Sequence, residues 1–272
     1  MIGKATTPAA VFFAAVFFSM VGDARADEAA TRRELLATGP LRVGIGVGPV
    51  KSAFWSVTDP ATGRPTGVAV DLGAALGRKL GAPVAYVAYA NSGALTEAGD
   101  KGEWDMAFLP VDAERIKRVD FGANYYLFVS TYLVAPGSTI RDQADVDRPG
   151  VRVAGVENTT TIRSARRVLK TAEVTSVASG DDMLALLRDG RVDAVVMGRD
   201  GLETMAAKLP GARVLDGHFH AAGTAPAVPK GRAAALAYVT DFIERAKADG
   251  TVRRVLDAHG IKGAVAPPGS RH

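Results

Sequence analysis

The residues best suited to chemistry are few. Arg115 lies one helical turn beyond the apolar strand in "EWDMAFLPVDAERIKRVDFGANYY" (103–126), and "VENTTTIRSARR" sets Asn158, Thr159, Thr160 and Thr161 at a helix start. A guanidinium offers a planar fork of donors matched to a carboxylate. Backbone N–H groups with hydroxyls at a helix N-terminus form a seat for an anion. The plainer alternatives are a surface ion pair of Arg115 with Glu114, and simple N-capping by one of the threonines. Asp112 is placed to cap the helix that carries Arg115. His218-Phe219-His220 has the i,i+2 spacing of a metal pair, but no third ligand accompanies it, so no metal is expected. There is no G-x-S-x-G elbow, no P-loop and no dinucleotide fingerprint, and no cofactor is expected. The chain has no cysteine, which excludes disulfides, thiolate metal sites, a cysteine nucleophile and a lipid-modified cysteine.

The chain that must position these groups has 272 residues, 47% hydrophobic and 23% charged, enough to bury one large core or two small ones. Its net charge of +4 is spread along the sequence, which argues against nucleic acid as a partner. Lys4, the 14-residue apolar run "AAVFFAAVFFSMVG" and Ala24-Arg25-Ala26 read as a signal peptide over residues 1–26, cleaved before Asp27. The run is short of the roughly 20 residues that span a bilayer. The mature chain, without Lys4, Asp23 and Arg25, carries +3 and is expected to be a soluble periplasmic monomer.

From Leu41 onward, short β-type runs alternate with helices closed by glycine, as in "LRVGIGV", "VDLGAALGRKLG" and "PVAYVAY", the rhythm of an α/β sheet. Asp71 and Gly81 are expected to cap the helix between them. The pattern recurs: "GPLRVG" (39–44) is echoed by "PGVRVA" (149–154), and "GEWDMAFL" (102–109) by "GRVDAVVM" (190–197). Two lobes of similar construction follow, 38–133 plus 222–262 and 134–221. They are joined by two strand-like crossings, "YYLFVSTYLVAPGS" and "HFHAAGTAPAVPKG". The Pro/Gly-rich tail 263–272 is expected to be disordered. In open parallel sheets the ligand crevice lies beyond the carboxyl ends of the strands, which directs attention to the loops after residues 47, 109, 156 and 197. Phe54 and Trp55 in the first of these could wall in a ligand, as could Phe108 or one of Tyr125 and Tyr126; Trp104 and Phe108 also suit the core.

The ordered stretches "GPLRVGIGV", "TGVAVDLGAALGRKLG", the 103–126 segment, "TYLVAPGS", "GRVDAVV", "APAVPKG" and "DGTVRRVL" resemble bacterial extracellular solute-binding proteins of family 3, the amino-acid-transporter type. The resemblance implies two Rossmann-like lobes on a two-strand hinge, of the type II periplasmic binding protein kind, which close over a solute and present it to the permease of an ABC importer. It implies that Arg115 holds a ligand carboxylate, with Phe54, Trp55, Phe108, Leu109, Asn158, Thr159, Thr160, Thr161 and Arg199 around the ligand. Two departures stand out. Leu109-Pro110-Val111-Asp112 replaces a hydroxyl-rich turn before the arginine. Gly198, five residues beyond Asp193, stands where amino-acid binders place a carboxylate for the ligand's amine, and Arg199 beside it hints at an anionic solute. An enzyme of the periplasmic dehydratase type, using Asp112 or Glu157 for proton transfer, and a sensor that docks on a receptor are the alternatives.

Overall fold

The computed structural model describes residues 27–47, 52 and 54–271; the expected signal peptide and part of the loop after the first strand lie outside them. A helix, α1 (residues 27–35), precedes β1 (Leu41–Gly46). The first lobe continues with a small hairpin, β2 (Val57–Thr58) and β3 (Pro65–Thr66), then α2 (Val68–Leu80), β4 (Val84–Tyr89), α3 (Ser92–Asp100), β5 (Met106–Pro110), α4 (Ala113–Ile116) and β6 (Val119–Phe121). β7 (Tyr126–Val134) leads into the second lobe: β8 (Arg152–Val156), α5 (Thr160–Val168), β9 (Glu173–Val177), α6 (Gly180–Arg188), β10 (Ala194–Gly198), α7 (Arg199–Ala206) and β11 (Arg213–Val214). β12 (His220–Pro229) returns to the first lobe, followed by α8 (Ala233–Ala248) and α9 (Thr251–Ala258).

The main sheet runs β4-β1-β5-β12-β7-β10-β8-β9. Each lobe is a parallel trio, β4-β1-β5 or β10-β8-β9, bordered by one antiparallel strand. β12 borders the first through Thr224–Ala227 and β7 the second through Ser130–Val134. The remaining halves of these strands, His220–Thr224 and Tyr126–Ser130, pair with each other as the hinge. In these hinge halves alternate residues are buried, as Tyr126, Phe128 and Ser130 are, while Leu127 and Ala221 face outward; the strands are covered on both sides only where they enter the lobes. β7 passes into the second lobe at Ser130, and Tyr132, Leu133 and Val134 belong to that lobe's cores.

The cores divide the same way. One face of the first sheet packs on α2, α8 and α9 through Leu72, Leu76, Val239, Ile243 and Leu256; the other packs on α3 around Trp104, whose Nε1 donates to Leu95 O at 2.9 Å. In the second lobe α5 covers one face, with Ile162 and Ala165, and α6 and α7 cover the other, with Met183, Leu187 and Leu202.

The sequence echo has a contact behind it. The Arg42 amide donates to Asp105 Oδ2 (3.0 Å) while its guanidinium grips both carboxylate oxygens (3.0 and 2.7 Å); Arg152 repeats this on Asp193 (2.9, 3.1 and 2.9 Å). In each lobe this fork ties the start of the first parallel strand to the residue just before its neighbour.

Two expectations give way. Gly81 ends α2 in the left-handed conformation (φ 62°), but Asp71 does not cap it: Gly67 is the N-cap, without a side-chain bond, and Asp71 pairs instead with His259 Nε2 at 2.7 Å. The tail is ordered where composition pointed to disorder. Ala266 N donates to Tyr125 O, Asn124 N to Ser270 O and Lys247 Nζ to Pro267 O, so backbone partners on the hinge outweigh the Pro/Gly content.

Candidate functional site

Between the lobes lies a cavity of about 70 Å³. Its walls come from the carboxyl ends of the strands: Gly46 and the Phe54–Trp55 loop after β1, Ser92 after β4, Pro110 at the end of β5, Thr159–Thr161 after β8 and Gly198 at the end of β10. A solute there touches both lobes.

Arg115 approaches this cavity from behind. Asp112 Oδ1 caps α4, accepting from the Glu114 and Arg115 amides at 2.9 and 3.0 Å. That cap turns the Arg115 side chain inward, where it is 2% exposed. Nε donates to Thr96 Oγ1 (3.1 Å), Nη1 to Pro110 O (2.9 Å) and Thr160 Oγ1 (2.7 Å), and Nη2 to Ser92 Oγ (2.7 Å). Four of its five N–H groups are thus held by protein oxygens. Ser92, Pro110 and Thr160 line the cavity and stand between it and the guanidinium. Arg115 and Asn158 themselves border a neighbouring polar cleft with Arg118, Arg163 and Glu97. Burial pulls the Arg115 pKa down to about 10, against the pull of Asp112, so it stays charged at neutral pH.

Thr160 is the cross-lobe pivot. Its hydroxyl accepts from Arg115 and donates to Asp112 Oδ2 at 2.6 Å, and Arg163 from the same helix also donates to Asp112 Oδ2. Burial alone would raise the Asp112 carboxyl, but Arg115, Thr160 and Arg163 outweigh it and hold the carboxyl below the usual aspartate range. Thr159 caps α5 by accepting from the Ile162 amide (3.3 Å), and Ser130 on the hinge shares a hydrogen bond with Thr161 (3.1 Å). Asn158 adopts a left-handed φ of 57°, and a Cβ on Gly93 would lie 2.5 Å from its side chain, so the lobes meet here without space for one methyl group. The structure is therefore a closed form.

The other wall is aromatic. Phe54 and Trp55 meet edge to face at 4.7 Å, and Trp55 and Phe128 at 5.6 Å between ring centroids. Asp200, in the first turn of α7, is the one Asp, Glu, Lys, Arg or His among the described residues lining the cavity. Tyr126 Oη donates to its Oδ2 at 3.1 Å across the lobe boundary; burial, reinforced by Glu203, raises its carboxyl pKa.

Of the residues singled out from sequence, Phe54, Trp55, Thr159, Thr160 and Thr161 line the cavity. Phe108 and Leu109 lie in the two cores of the first lobe instead, Phe108 edge-on to Tyr125 at 5.5 Å, because β5 is buried on both faces. Arg199 turns away and donates to Leu215 O and Gly217 O (3.0 and 2.6 Å). Ser92, Phe128 and Met197 line the cavity without having been singled out for it, while Asp200, which the sequence offered only as a substitute for the carboxylate missing at Gly198 or as a helix cap, lines it as well. Ser92 follows the carboxyl end of β4 and was within reach of the strand-end rule; Phe128 carried no local signal. Among the described residues no group of three or more His, Asp or Glu could hold a metal ion.

Two mixed α/β lobes on a two-strand hinge, with a cavity at the carboxyl ends of both parallel sheets, define the type II periplasmic binding fold. The profile of the bacterial extracellular solute-binding proteins, family 3, matches residues 45–261, and the chain belongs to that family. Its fold is shared with an ancestral amino acid-binding protein described as a precursor of cyclohexadienyl dehydratase (28% identity, TM-score 0.72, 84% of this chain and 98% of that one). It is shared also with an ancestral arginine-binding protein bound to glutamine (25%, TM-score 0.72, 82% and 99%). An amino acid ABC transporter substrate-binding protein of Streptococcus pneumoniae bound to L-arginine has the same fold at 18% identity (TM-score 0.73, 83% and 96%). No curated protein gives a significant match.

Proposed function

We propose that this protein is the periplasmic substrate-binding component of an ABC importer, exported by its N-terminal signal, and that it captures a small solute bearing a carboxylate and a positively charged group. The observation that carries this reading is the cavity itself, enclosed between lobes and lined from both, because only contacts that improve on closure can drive a hinge. At one end Ser92 and Thr160 front the Arg115 guanidinium, whose fork suits a carboxylate. At the other, half-buried Asp200, whose partner across the lobe boundary among the described residues is the Tyr126 hydroxyl, suits a cation. The amino-acid-binding neighbours agree with a zwitterion of that size.

A dehydratase reading has less support. Asp112, tied to two arginines and held below the ordinary carboxylate range, is a poor proton donor, and Glu157 is exposed outside the cavity. The test is a thermal-shift screen of amino acids, organic acids, opines and amines, followed by titration of the hits. A ligand at a hundred times its Kd adds roughly 2.7 kcal/mol, about 5–10 °C in a protein of this size. Arg115→Lys, which keeps the charge and loses the fork, should weaken a carboxylate hit at least tenfold. A screen without a hit, or hits indifferent to R115K, would count against the assignment.

A further inference from the structure

The inward face of the hinge strand β7 presents Tyr126, Phe128 and Ser130, since alternate residues share a face. The outer two make polar contacts with the second lobe, Tyr126 to Asp200 and Ser130 to Thr161. Phe128 between them is pressed on Gly198: a Cβ there would lie 2.2 Å from the Phe128 Cζ and 2.3 Å from its Cε2.

Gly198 is not demanded by the backbone. Its φ of −60° and ψ of 142° are open to any residue. It is the N-cap of α7, a position where Ser, Thr, Asp or Asn would satisfy a helix amide, and here no side chain does so. What glycine supplies is room for the ring. The ring in turn stands 5.6 Å from Trp55 and 6.0 Å from Phe54, bridging the loop after β1 to the end of β10 and walling off the hinge end of the cavity, with Asp200 two residues beyond Gly198 on the same rim.

We propose that Phe128 is the specificity-determining residue of the cleft: seated on Gly198, it caps the length of solute that the closed lobes admit, selecting small cationic or zwitterionic solutes with a short apolar body. This rests on the solute-binding reading above. An aromatic ring removed from this place would leave a space that a longer hydrocarbon side chain can fill.

The test is a ladder of α-amino acids and of simple primary amines, each lengthened one carbon at a time, titrated calorimetrically into the wild type, F128A, G198A and the double variant. The wild type should bind the short members and lose affinity as the chain grows. F128A should shift the optimum to longer members with at least a tenfold gain for them. G198A, whose new methyl group meets the ring on closure, should weaken every member at least tenfold, and the double variant should recover most of that loss, a coupling that independent structural damage does not produce. If F128A folds poorly, Phe128→Leu repeats the comparison with a core-sized apolar side chain. A wild type that binds but shares its size ranking with F128A or F128L, or an additive double variant, overturns the role of Phe128 alone. A wild type that binds no member overturns the solute-binding reading and this inference with it.

Discussion

Thr160→Val removes one hydroxyl from the contact that spans the lobes and keeps nearly the same volume. In the closed form that hydroxyl, on a residue 3% exposed, serves two charged partners, Arg115 at 2.7 Å and Asp112 at 2.6 Å. Hydrogen bonds to charged groups contribute roughly 1.5–3 kcal/mol, and a buried donor left without an acceptor costs about 1–3 kcal/mol. The two losses overlap, since a single hydroxyl makes both bonds, and opening the cleft lets water take its place. The closed form should therefore lose about 1.5–3 kcal/mol relative to the open one, a factor of about 10 to 150 in their ratio. Within each lobe nothing changes, so the melting temperature should hardly move. Small-angle scattering of the solute-free variant should show a larger radius of gyration than the wild type, and solute affinity should fall by up to the same factor, because apparent Kd scales inversely with the closed fraction. Superimposable scattering curves together with a Kd within twofold of wild type would refute the claim that this hydroxyl holds the lobes together.

Three further outcomes follow from the same contacts. Asp200→Asn removes a carboxylate whose pKa burial has raised; ionisation therefore costs stability once the pH is above that raised value, so the empty variant should melt slightly higher at pH 7 while binding a cationic solute at least tenfold more weakly, measured by thermal shift and titration. Asp112 has a lowered pKa, so its contribution is complete above the ordinary aspartate range near 4 and is lost only as the pH falls through its own lower value; closure should survive at pH 5 and fail below about 4, and D112N should abolish that acid-dependent step in scattering. Deleting residues 263–272 removes the backbone bonds to Tyr125 and Asn124 and uncovers Tyr126; at about 1 kcal/mol per bond the melting temperature should drop by roughly 5–10 °C, and an unchanged value would show the tail to be dispensable.

What could be read from sequence is what depends on neighbours in the chain or on repeated local construction. The Arg42–Asp105 and Arg152–Asp193 forks imposed the same spacing twice, so the two lobes were visible as an echo. The hinge strands stood out as long, mostly apolar and β-branched runs, because their far halves are buried inside the lobes. The helix cap at Asp112 was local and correctly placed. What escaped depends on the other lobe. Nothing near Arg115 announces that Thr160, 45 residues away, takes one of its donors. Nothing near Gly198 announces the Phe128 ring that fills the place of a side chain. The tail misled for the same reason: its Pro and Gly content describes local freedom, whereas Lys247 and the Asn124–Leu127 backbone, distant in sequence, fix it.

The cross-lobe contacts also limit how solute binding can be accounted for. A solute shifts the opening equilibrium only by the difference between its contacts in the closed and open forms. In the closed form Thr160, Thr161 and Asp200 already meet partners on the other lobe or the hinge, so part of the closing free energy exists before any solute arrives. A carboxylate that takes two prongs of the Arg115 fork must displace the Thr160 or Ser92 hydroxyl, since one N–H at most is free, and there gains the difference between an ionic and a neutral acceptor rather than a whole ion pair. A cation reaching Asp200 displaces less, because among the described residues the carboxylate's partner across the lobe boundary is a tyrosine hydroxyl. The cationic end of the solute should therefore contribute more to affinity than its carboxylate. Comparing an amino acid with its decarboxylated amine and with its deaminated acid measures that ordering directly, and a stronger loss on removing the carboxylate would reverse it.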